Sequence, residues 1–324
     1  MATWTPDLPR FALLDAPSPF HRLPRFSAAV GDANVWIKRE DLLPLAFGGN
    51  KLRNLEFLAG AALADGADTL VTSGRRWSNH CRLTAAAGAK AGLAVHLVLS
   101  GPPIEPPGPN QWLDELLGAE LHVAATDQRA DREALVERVV AELRAAGRRP
   151  YVVGVGGSGT TGAVGQVLAG IELVEQARDA GAEVGTVVLP TATGGTQAGL
   201  LAGLRLGGSQ ARVVGIAAAA PSPELRPAVA RLLDELARVT GTRVDAAEIE
   251  IDDRDLGAGY GRRTEAADEA QRLLARTEGI LVDPIYTAKA LAGLIRLVRA
   301  RSISGPVVFW HAGGTPGIFE PLDG

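Results

Sequence analysis

The sequence has few of the residues that build cross-links and metal centres. It contains one cysteine, Cys81, and one methionine among 324 residues, so no intrachain disulfide can form. A single thiol also argues against a metal site built on cysteine ligands. This composition is typical of a protein that works in a reducing compartment, and we expect a cytoplasmic location.

An excess of positive charge and long hydrophobic runs are also missing. Lys and Arg together number 33 against 37 Asp and Glu, which gives a formal net charge of −4 and a pI near 5.8. We therefore expect no nucleic-acid partner and no polybasic membrane contact. The apolar stretches are short and are broken by Gly, Arg or Asp, so no membrane span is expected. Residues 1–10 lack the apolar core of a signal peptide.

What the chain has is an alternation of strand and helix patterns, with apolar residues at 46% of the total. Short apolar runs such as 69–73 and 95–99 predict strands, and the stripes over 51–64 and 131–146 predict helices. This alternation is typical of parallel sheets covered by helices on both faces. We predict an α/β fold of this kind. The first 34 residues are rich in proline and are predicted to be irregular.

The loops that carry unusual residues all follow predicted strands. Ligands of parallel α/β sheets bind beyond the carboxyl ends of the strands, so these loops are expected to meet at one site. They span residues 74–80, 154–162, 191–196 and 311–316.

A lysine follows a glycine turn at the start of the first long helix pattern, in Gly48-Gly49-Asn50-Lys51. Glycine lets the backbone take a positive φ or approach a ligand closely, so the lysine would be held in a defined place. A held amine with a lowered pKa can form a Schiff base with a carbonyl. The alternative is a glycine turn before an ordinary solvated lysine.

Two glycine-rich loops are candidates for binding phosphate. Thr193-Gly194-Gly195-Thr196 lies between a strand and a helix, where free backbone N–H groups and two hydroxyls favour an anion. A plain turn with threonine caps is the alternative. Residues 154–159 match G-x-G-x-x-G, but the next strand ends without the acidic residue that a dinucleotide site requires. We therefore do not expect NAD.

Ser78-Asn79-His80 opens a helix pattern after a strand and could bind a carboxylate; the alternative is a simple helix cap. Tyr260 and Tyr286 each lie beside a turn at a helix start and could act as acid, base or packing residues. The other histidines are scattered along the chain without an H-x-x-x-H pattern, so no metal site is expected. No G-x-S-x-G motif is present, which argues against an α/β-hydrolase.

Together these motifs resemble the pyridoxal-phosphate enzymes of the tryptophan-synthase-β-like fold (fold type II), in the branch of D-cysteine desulfhydrase and 1-aminocyclopropane-1-carboxylate (ACC) deaminase. The resemblance runs nearly end to end. The matching segments are residues 37–41, 48–53, 78–80, 150–152, 194–199, 259–261, 283–287 and 311–314. It implies two open, twisted, mostly parallel sheets flanked by helices, with a large domain of residues 1–49 plus 164–324 and a small domain of residues 50–163.

The same resemblance implies a role for each candidate site residue. Lys51 would carry the Schiff base to pyridoxal 5′-phosphate and act in catalysis together with Ser78, Tyr260 and Tyr286. The residues implied to bind the cofactor are Lys51, Asn50, Asn79, Thr193, Gly194, Gly195, Thr196, Thr287 and Thr315. The residues implied to face the substrate are Ser78, Asn79, His80 and Trp77. Dimers are the habit of the family, so a homodimer is expected.

Position 287 bears on the choice of reaction. ACC deaminases carry a glutamate there, beside the pyridine nitrogen, whereas desulfhydrases carry threonine, as this chain does at Thr287. The resemblance therefore favours β-elimination of D-cysteine, or a related β-substituted amino acid, to pyruvate, ammonia and sulfide. Trp77 and Ala312 depart from the usual desulfhydrase pattern. These departures leave open three other reactions, namely ring-opening deamination, β-replacement and racemisation. A ligand-binding protein without catalysis is the remaining alternative.

Overall fold

The structure is a computed structural model that describes residues 4–31, 33–101, 106–124, 126, 128–303 and 305–322. The strands of the described residues form two sheets. They are β1 (Phe20–Arg22), β2 (Val35–Arg39), β3 (Thr69–Arg75), β4 (Ala94–Ser100), β5 (Glu120–Ala124), β6 (Pro150–Val152), β7 (Thr186–Thr191), β8 (Arg212–Ala217), β9 (Glu250–Asp252) and β10 (Val307–His311).

The α-helices lie between these strands, as the sequence pattern predicts. They are α1 (Pro24–Ala29), α2 (Lys51–Ala64), α3 (Asn79–Ala91), α4 (Pro109–Leu116), α5 (Arg129–Ala145), α6 (Thr160–Asp179), α7 (Gly195–Leu206), α8 (Ser222–Thr240), α9 (Glu265–Glu278) and α10 (Thr287–Arg299). Within the described ranges, each helix is too short or too polar to span a bilayer.

The larger sheet has six strands in the order β1-β2-β10-β7-β8-β9, and the smaller has four in the order β5-β4-β3-β6. All neighbouring pairs are parallel except β1 with β2. The prediction of an α/β fold with two mostly parallel sheets is therefore confirmed. Strands of a parallel sheet are buried on both faces, which agrees with the fully buried β10, whose five residues are all apolar except His311.

Apolar side chains fill the space on both faces of each sheet. On the larger sheet, one core joins β2 and β10 to α9 and α10, and a second joins β7 and β8 to α6, α7 and α8. On the smaller sheet, β3 and β4 pack on α2 and α3 on one face and on α5 on the other. The carboxyl ends of the strands stay uncovered by these cores, and the loops that follow them are free to form a site.

A cluster of buried charges ties α2 to the larger sheet. The guanidinium of Arg53 donates to Glu40 at 2.6 and 2.8 Å and to Glu172 on α6 at 2.8 and 2.9 Å. Lys38 on β2 forms an ion pair with the same Glu172. Burial alone would raise the pKa of Glu172, but Arg53 and Lys38 outweigh it and hold that pKa below its usual value. Two cations and two anions therefore compensate one another in the interior.

The prediction that residues 1–34 are irregular is wrong in part. This segment contains β1, which pairs antiparallel with β2, and α1, which begins at Pro24. Proline at the first helical position costs no hydrogen bond, because that N–H has no intrahelical partner. The strand pairing of β1 depends on contact with β2, which lies more than ten residues away, so no local pattern announces it.

Candidate functional site

A cavity of about 390 Å³ opens where the two sheets face each other at the carboxyl ends of their strands. Its size lies within the roughly 300–1,000 Å³ of ordinary small-molecule sites. Its wall is built by the loops after β3, β7 and β10 and by the starts of α2, α3 and α10. The predicted site residues in its lining are Asn50, Lys51, Ser78, Asn79, His80, Thr193, Gly194, Thr196, Tyr260, Tyr286 and Thr287.

Three predicted residues lie outside that lining. Trp77 packs against Tyr260, with ring centroids 5.9 Å apart. Thr315 begins a short 3-10 helix after β10. Gly195 is the buried first residue of α7. The roles that the resemblance implies for these three residues stay predictions.

The chain enters Lys51 through a left-handed turn. Leu45, Ala46 and Phe47 have φ of 70°, 44° and 64°, and Gly48 and Gly49 follow with 65° and 130°. Side chains other than glycine are strained in this region, so the surrounding contacts must hold the turn. A Cβ on Gly48 would lie 2.3 Å from the Asp41 carbonyl oxygen. The glycine is therefore required by packing as well as by φ.

Backbone hydrogen bonds fix the turn on both sides of the lysine. Gly49 N donates to Glu40 O and Asn50 N donates to Ala312 O, each at 2.9 Å. Lys51 is the first residue of α2 and its side chain lies in the cavity wall. Burial lowers the pKa of its amine to about 8. The lysine is therefore held in place, and more of its amine is neutral near pH 7 than in an exposed lysine.

Arg82, a residue that the sequence did not single out, connects this turn to α3. It is fully buried, and its guanidinium donates to the Ala46 carbonyl oxygen and, at 3.2 Å, to Asn79 Oδ1. A third bond runs from Arg82 Nε to Asn110 Oδ1 at 2.8 Å. No local pattern marks a buried arginine in an alanine-rich helix, because its partners come from distant parts of the chain.

The loop 193–196 reaches the cavity at the start of α7. Gly194 precedes that helix with φ of 84°, and a Cβ there would lie 2.9 Å from Val229. Thr193 Oγ1 is hydrogen-bonded to Ser158 Oγ, and Thr196 Oγ1 accepts from Asn50 Nδ2 at 2.8 Å. The loop therefore joins a helix N-terminus, which favours an anion, to the residue before Lys51.

The second glycine-rich segment supports that loop. Gly156 has φ of 69°, and a Cβ on it would lie 2.8 Å from Thr193 Oγ1. Val155 and Gly156 also contribute to the cavity lining. Residues 154–159, which match G-x-G-x-x-G, thus pack directly against the loop 193–196. This close packing explains why a residue with a side chain would not fit at Gly156.

His80 has a defined tautomer in this structure. Thr72 Oγ1 donates to Val153 O at 2.7 Å, so it accepts the 2.9 Å bond from His80 Nε2. Nδ1 of His80 therefore carries a lone pair, and it has no hydrogen-bond partner among the described residues. Burial, followed by the charge of Lys51, lowers the pKa of His80 to about 3. The imidazole is neutral and cannot compete with Lys51 for a proton.

Tyr260 and Tyr286 form a pair in the wall of the cavity, with their hydroxyl groups hydrogen-bonded to each other. Burial raises the pKa of Tyr286 well above its usual value, and burial also raises that of Tyr260. Both hydroxyls therefore keep their protons at neutral pH. The pair can hold and pass on a proton, whereas it is a poor base.

Asp283, to which no site role was assigned, is buried in the lining beside Thr287. Its Oδ2 accepts from the N–H groups of residues 285 and 286, and its Oδ1 accepts from the N–H and the hydroxyl of Thr287. Four hydrogen bonds fill the acceptor sites of a carboxylate. The Thr287 hydroxyl in turn accepts from Asp283 N at 2.8 Å. Among the described residues of the lining, Asp283 is the carboxylate, and its oxygens are already bonded.

The charges of the lining favour an anionic ligand. Its cationic side chains are Lys51, Arg75, Arg129 and Arg132, and its acidic side chain is Asp283, whose oxygens are already bonded. Arg132 is itself anchored by a bond from Nη1 to Ser100 Oγ at 3.1 Å. The arginines come from β3 and from α5. A ligand with a phosphate and a carboxylate suits this wall.

Pyridoxal 5′-phosphate fits the residues present. The loop 193–196 offers helix N–H groups for its phosphate, and the glycines there leave no room for a Cβ. Lys51, with its lowered pKa, offers a nucleophilic amine to its aldehyde. The two features lie in one cavity and are joined through Asn50 and Thr196.

Comparison with known proteins gives a consistent result. Residues 12–313 match the family described as pyridoxal-phosphate dependent enzyme. A solved ACC deaminase homologue is 35% identical, with a TM-score of 0.90 over 97% of this chain and 94% of that chain. A threonine deaminase from T.th. is 21% identical, with a TM-score of 0.70 over 92% of each chain. A pyridoxal 5′-phosphate-dependent aspartate racemase is 16% identical, with a TM-score of 0.66 over 92% of this chain and 90% of that chain. The last two show a shared fold alone.

Proposed function

Because the chain belongs to the family of pyridoxal-phosphate dependent enzymes, we propose that it is a lyase that eliminates the β-substituent of D-cysteine or a related β-substituted amino acid. The products from D-cysteine are pyruvate, ammonia and sulfide. The substrate contributes its thiol as the leaving group, and water releases the ammonia. Pyridoxal 5′-phosphate, when bound, withdraws electrons from the substrate α-carbon and so makes the α-proton labile.

The residues of the chain supply binding and proton transfer around that carbon. The Ser78–His80 loop at the start of α3 would hold the substrate carboxylate through N–H groups of the helix and the Ser78 hydroxyl. The Lys51 amine, with a pKa of about 8, would take the α-proton. The tyrosine pair would hold a proton for the leaving group, since both hydroxyls stay protonated at neutral pH.

The observation that favours elimination over ring opening is the neutral, hydrogen-bonded side chain at position 287. Thr287 is neutral, and its hydroxyl proton is bonded to Asp283, whose own acceptor sites are filled. A cofactor ring that meets no free carboxylate here withdraws electrons less strongly. Weaker withdrawal is sufficient when a good leaving group such as sulfide departs at once. It is less suited to opening a cyclopropane.

Ring-opening deamination of ACC is the second candidate, because the solved relative at 35% identity is described as an ACC deaminase homologue. The decisive experiment incubates the cofactor-loaded protein with D-cysteine, L-cysteine or ACC. Sulfide and pyruvate formed in equal amounts from D-cysteine support the proposal. Release of α-ketobutyrate from ACC without sulfide from D-cysteine would show the second candidate instead. No product from any of the three would exclude D-cysteine and ACC as substrates and leave another β-substituted amino acid to be tested.

The tyrosine pair gives a prediction within this proposal. Replacing Tyr286 with phenylalanine removes one hydroxyl of the pair, and we expect kcat with D-cysteine to fall by about 10²-fold, the lower end of the effect of a general acid. Tyr151, the remaining tyrosine, lies on β6 outside the cavity lining, so Tyr151→Phe is the control. Unchanged turnover in both Tyr286→Phe and Tyr260→Phe would remove the pair from the mechanism.

We propose three further properties of the chain. The division into residues 1–49 plus 164–324 and residues 50–163 is supported by the sheets, since β3 to β6 all lie within 50–163 and the other strands lie outside it. A homodimer and a cytoplasmic location are proposed from the family habit and the single cysteine. Sedimentation of the purified protein tests the homodimer.

A further inference from the structure

Two histidines and a glutamate meet on the smaller sheet, away from the cavity. His96 lies on β4, and Glu120 and His122 lie on the neighbouring edge strand β5. The strands are parallel, with His96 opposite Glu120 and Val98 opposite His122. Residues two apart on a strand share a face, so all three side chains lie together. These histidines are scattered along the sequence, but sheet pairing brings positions 96 and 122 together.

The three nearest polar atoms form a small triangle. His96 Nδ1 lies 3.0 Å from His122 Nε2, and Glu120 Oε1 lies 3.7 Å from the former and 3.5 Å from the latter. The point equidistant from these three atoms is about 2 Å from each, which is the length of zinc–nitrogen and zinc–oxygen bonds. No second group of three metal-ligating side chains with such spacing occurs in the described part of the chain.

The chemistry of the donors favours a borderline divalent ion. Two imidazoles and one carboxylate suit Zn²⁺ and similar transition metals, whereas Mg²⁺ and Ca²⁺ prefer ligands that are all oxygen. The side chains of His96 and His122 are 12% and 22% exposed, and that of Glu120 is 65% exposed. Water can therefore reach the fourth coordination position.

The two histidine rings already face each other across the strand pair. Without an ion, the two facing nitrogen atoms share one hydrogen bond, and their rings stack at 5.3 Å. A bound ion would replace the hydrogen that the two rings share. The positive charge of nearby Arg148 would oppose the binding of that ion.

We propose that His96, Glu120 and His122 form a divalent metal site of the zinc class that fastens β5 to β4. The site is separate from the cavity, which begins at Gly74 on β3. His96 pairs with Val71, three residues earlier, or roughly 10 Å along the strand. Because an ion bound only by the folded chain stabilises it, the site anchors an edge strand of five residues.

The test uses the cofactor-loaded protein after treatment with a chelator. Zn²⁺ titrated in a calorimeter is expected to bind at one equivalent per chain, and Co²⁺ to give a visible absorption band at the same stoichiometry. At zinc concentrations about one hundred times the dissociation constant, the melting temperature is expected to rise by about 4 °C. Absence of saturable one-equivalent Zn²⁺ binding would overturn the proposal.

Variants assign the binding to these residues. His122→Ala is expected to abolish the one-equivalent binding, and Glu120→Gln, which keeps shape and removes charge, to weaken it by at least about tenfold. His21→Ala is the matched control, since His21 is an exposed histidine on β1. Circular dichroism and the cofactor absorbance confirm that each variant is folded. Zinc binding retained in both His122→Ala and Glu120→Gln would place the ion elsewhere and refute the site.

Discussion

Lys51→Ala is expected to lower kcat/KM for the proposed substrate by at least about 10³-fold and to remove the visible absorbance of the lysine-bound cofactor. The loss follows because one amine both attaches the cofactor and takes the α-proton. Absorbance of the loaded protein and sulfide release are the measurements. Lys90→Ala, an exposed lysine at the end of α3, is the control and should retain both. A loaded Lys51→Ala protein that keeps the band would refute the role of Lys51.

Lysine pKa alone does not identify this residue. Burial also lowers the pKa of Lys289 to about 8. The Lys289 amine, however, donates to Leu256 O at 2.8 Å and Gly259 O at 3.0 Å and lies outside the cavity lining.

In the proposed role of Lys51, the neutral amine is the reactive form. Cofactor attachment to the apoprotein should therefore accelerate as pH rises through about 8 and level off above it. A rate that is flat across this range would contradict the assigned pKa.

Arg53→Met is expected to destabilise the protein by about 3–5 kcal/mol, the cost of leaving buried charges without their partner. Arg53 is 3% exposed and Glu40 is fully buried, so Glu40 would lose its guanidinium and have no access to water. The free energy of unfolding, from denaturant titration followed by circular dichroism, is the measurement. Arg231→Met is the control, because it removes an exposed i,i+4 ion pair with Glu235 on α8. It should change the free energy of unfolding by no more than about 0.5 kcal/mol.

A double variant separates charge compensation from shape. Glu40→Gln in the Arg53→Met background removes the uncompensated anion, and part of the lost stability should return. If the free energy of unfolding of Arg53→Met lies within about 1 kcal/mol of the parent value, water or Lys38 compensates the charge of Glu40 and the prediction is wrong. Lys38, Glu40 and Arg53 are therefore expected to stabilise the fold rather than to contact a ligand.

The fold was largely predictable because its signals are local. The predicted helix over 51–64 has the bounds of α2, and the strands predicted over 69–73 and 95–99 differ from β3 and β4 by one or two residues at their ends. The start of α3 follows the same pattern, because Ser78, which opens the predicted helix, caps it by accepting from Cys81 N at 3.2 Å.

The sequence predicted where the loops meet but not the chemistry of the cavity. The rule that loops after parallel strands meet at one edge grouped the loops of Ser78, Val155 and Thr193, and all three residues line one cavity. The same rule gives no information on which hydroxyl faces which partner. The positions of Trp77 and Thr315, and the bond between Thr287 and Asp283, depend on contacts between distant segments.

By itself, the sequence determined the α/β class and the glycine turn before Lys51, because backbone preference and hydrophobic period are properties of short segments. Tertiary structure alone decided the rest. The pKa of Lys51 depends on burial by residues from both sheets, and the meeting of His96 with His122 depends on the register between two strands. Electrostatics and coordination act through space, and a linear pattern does not specify those distances.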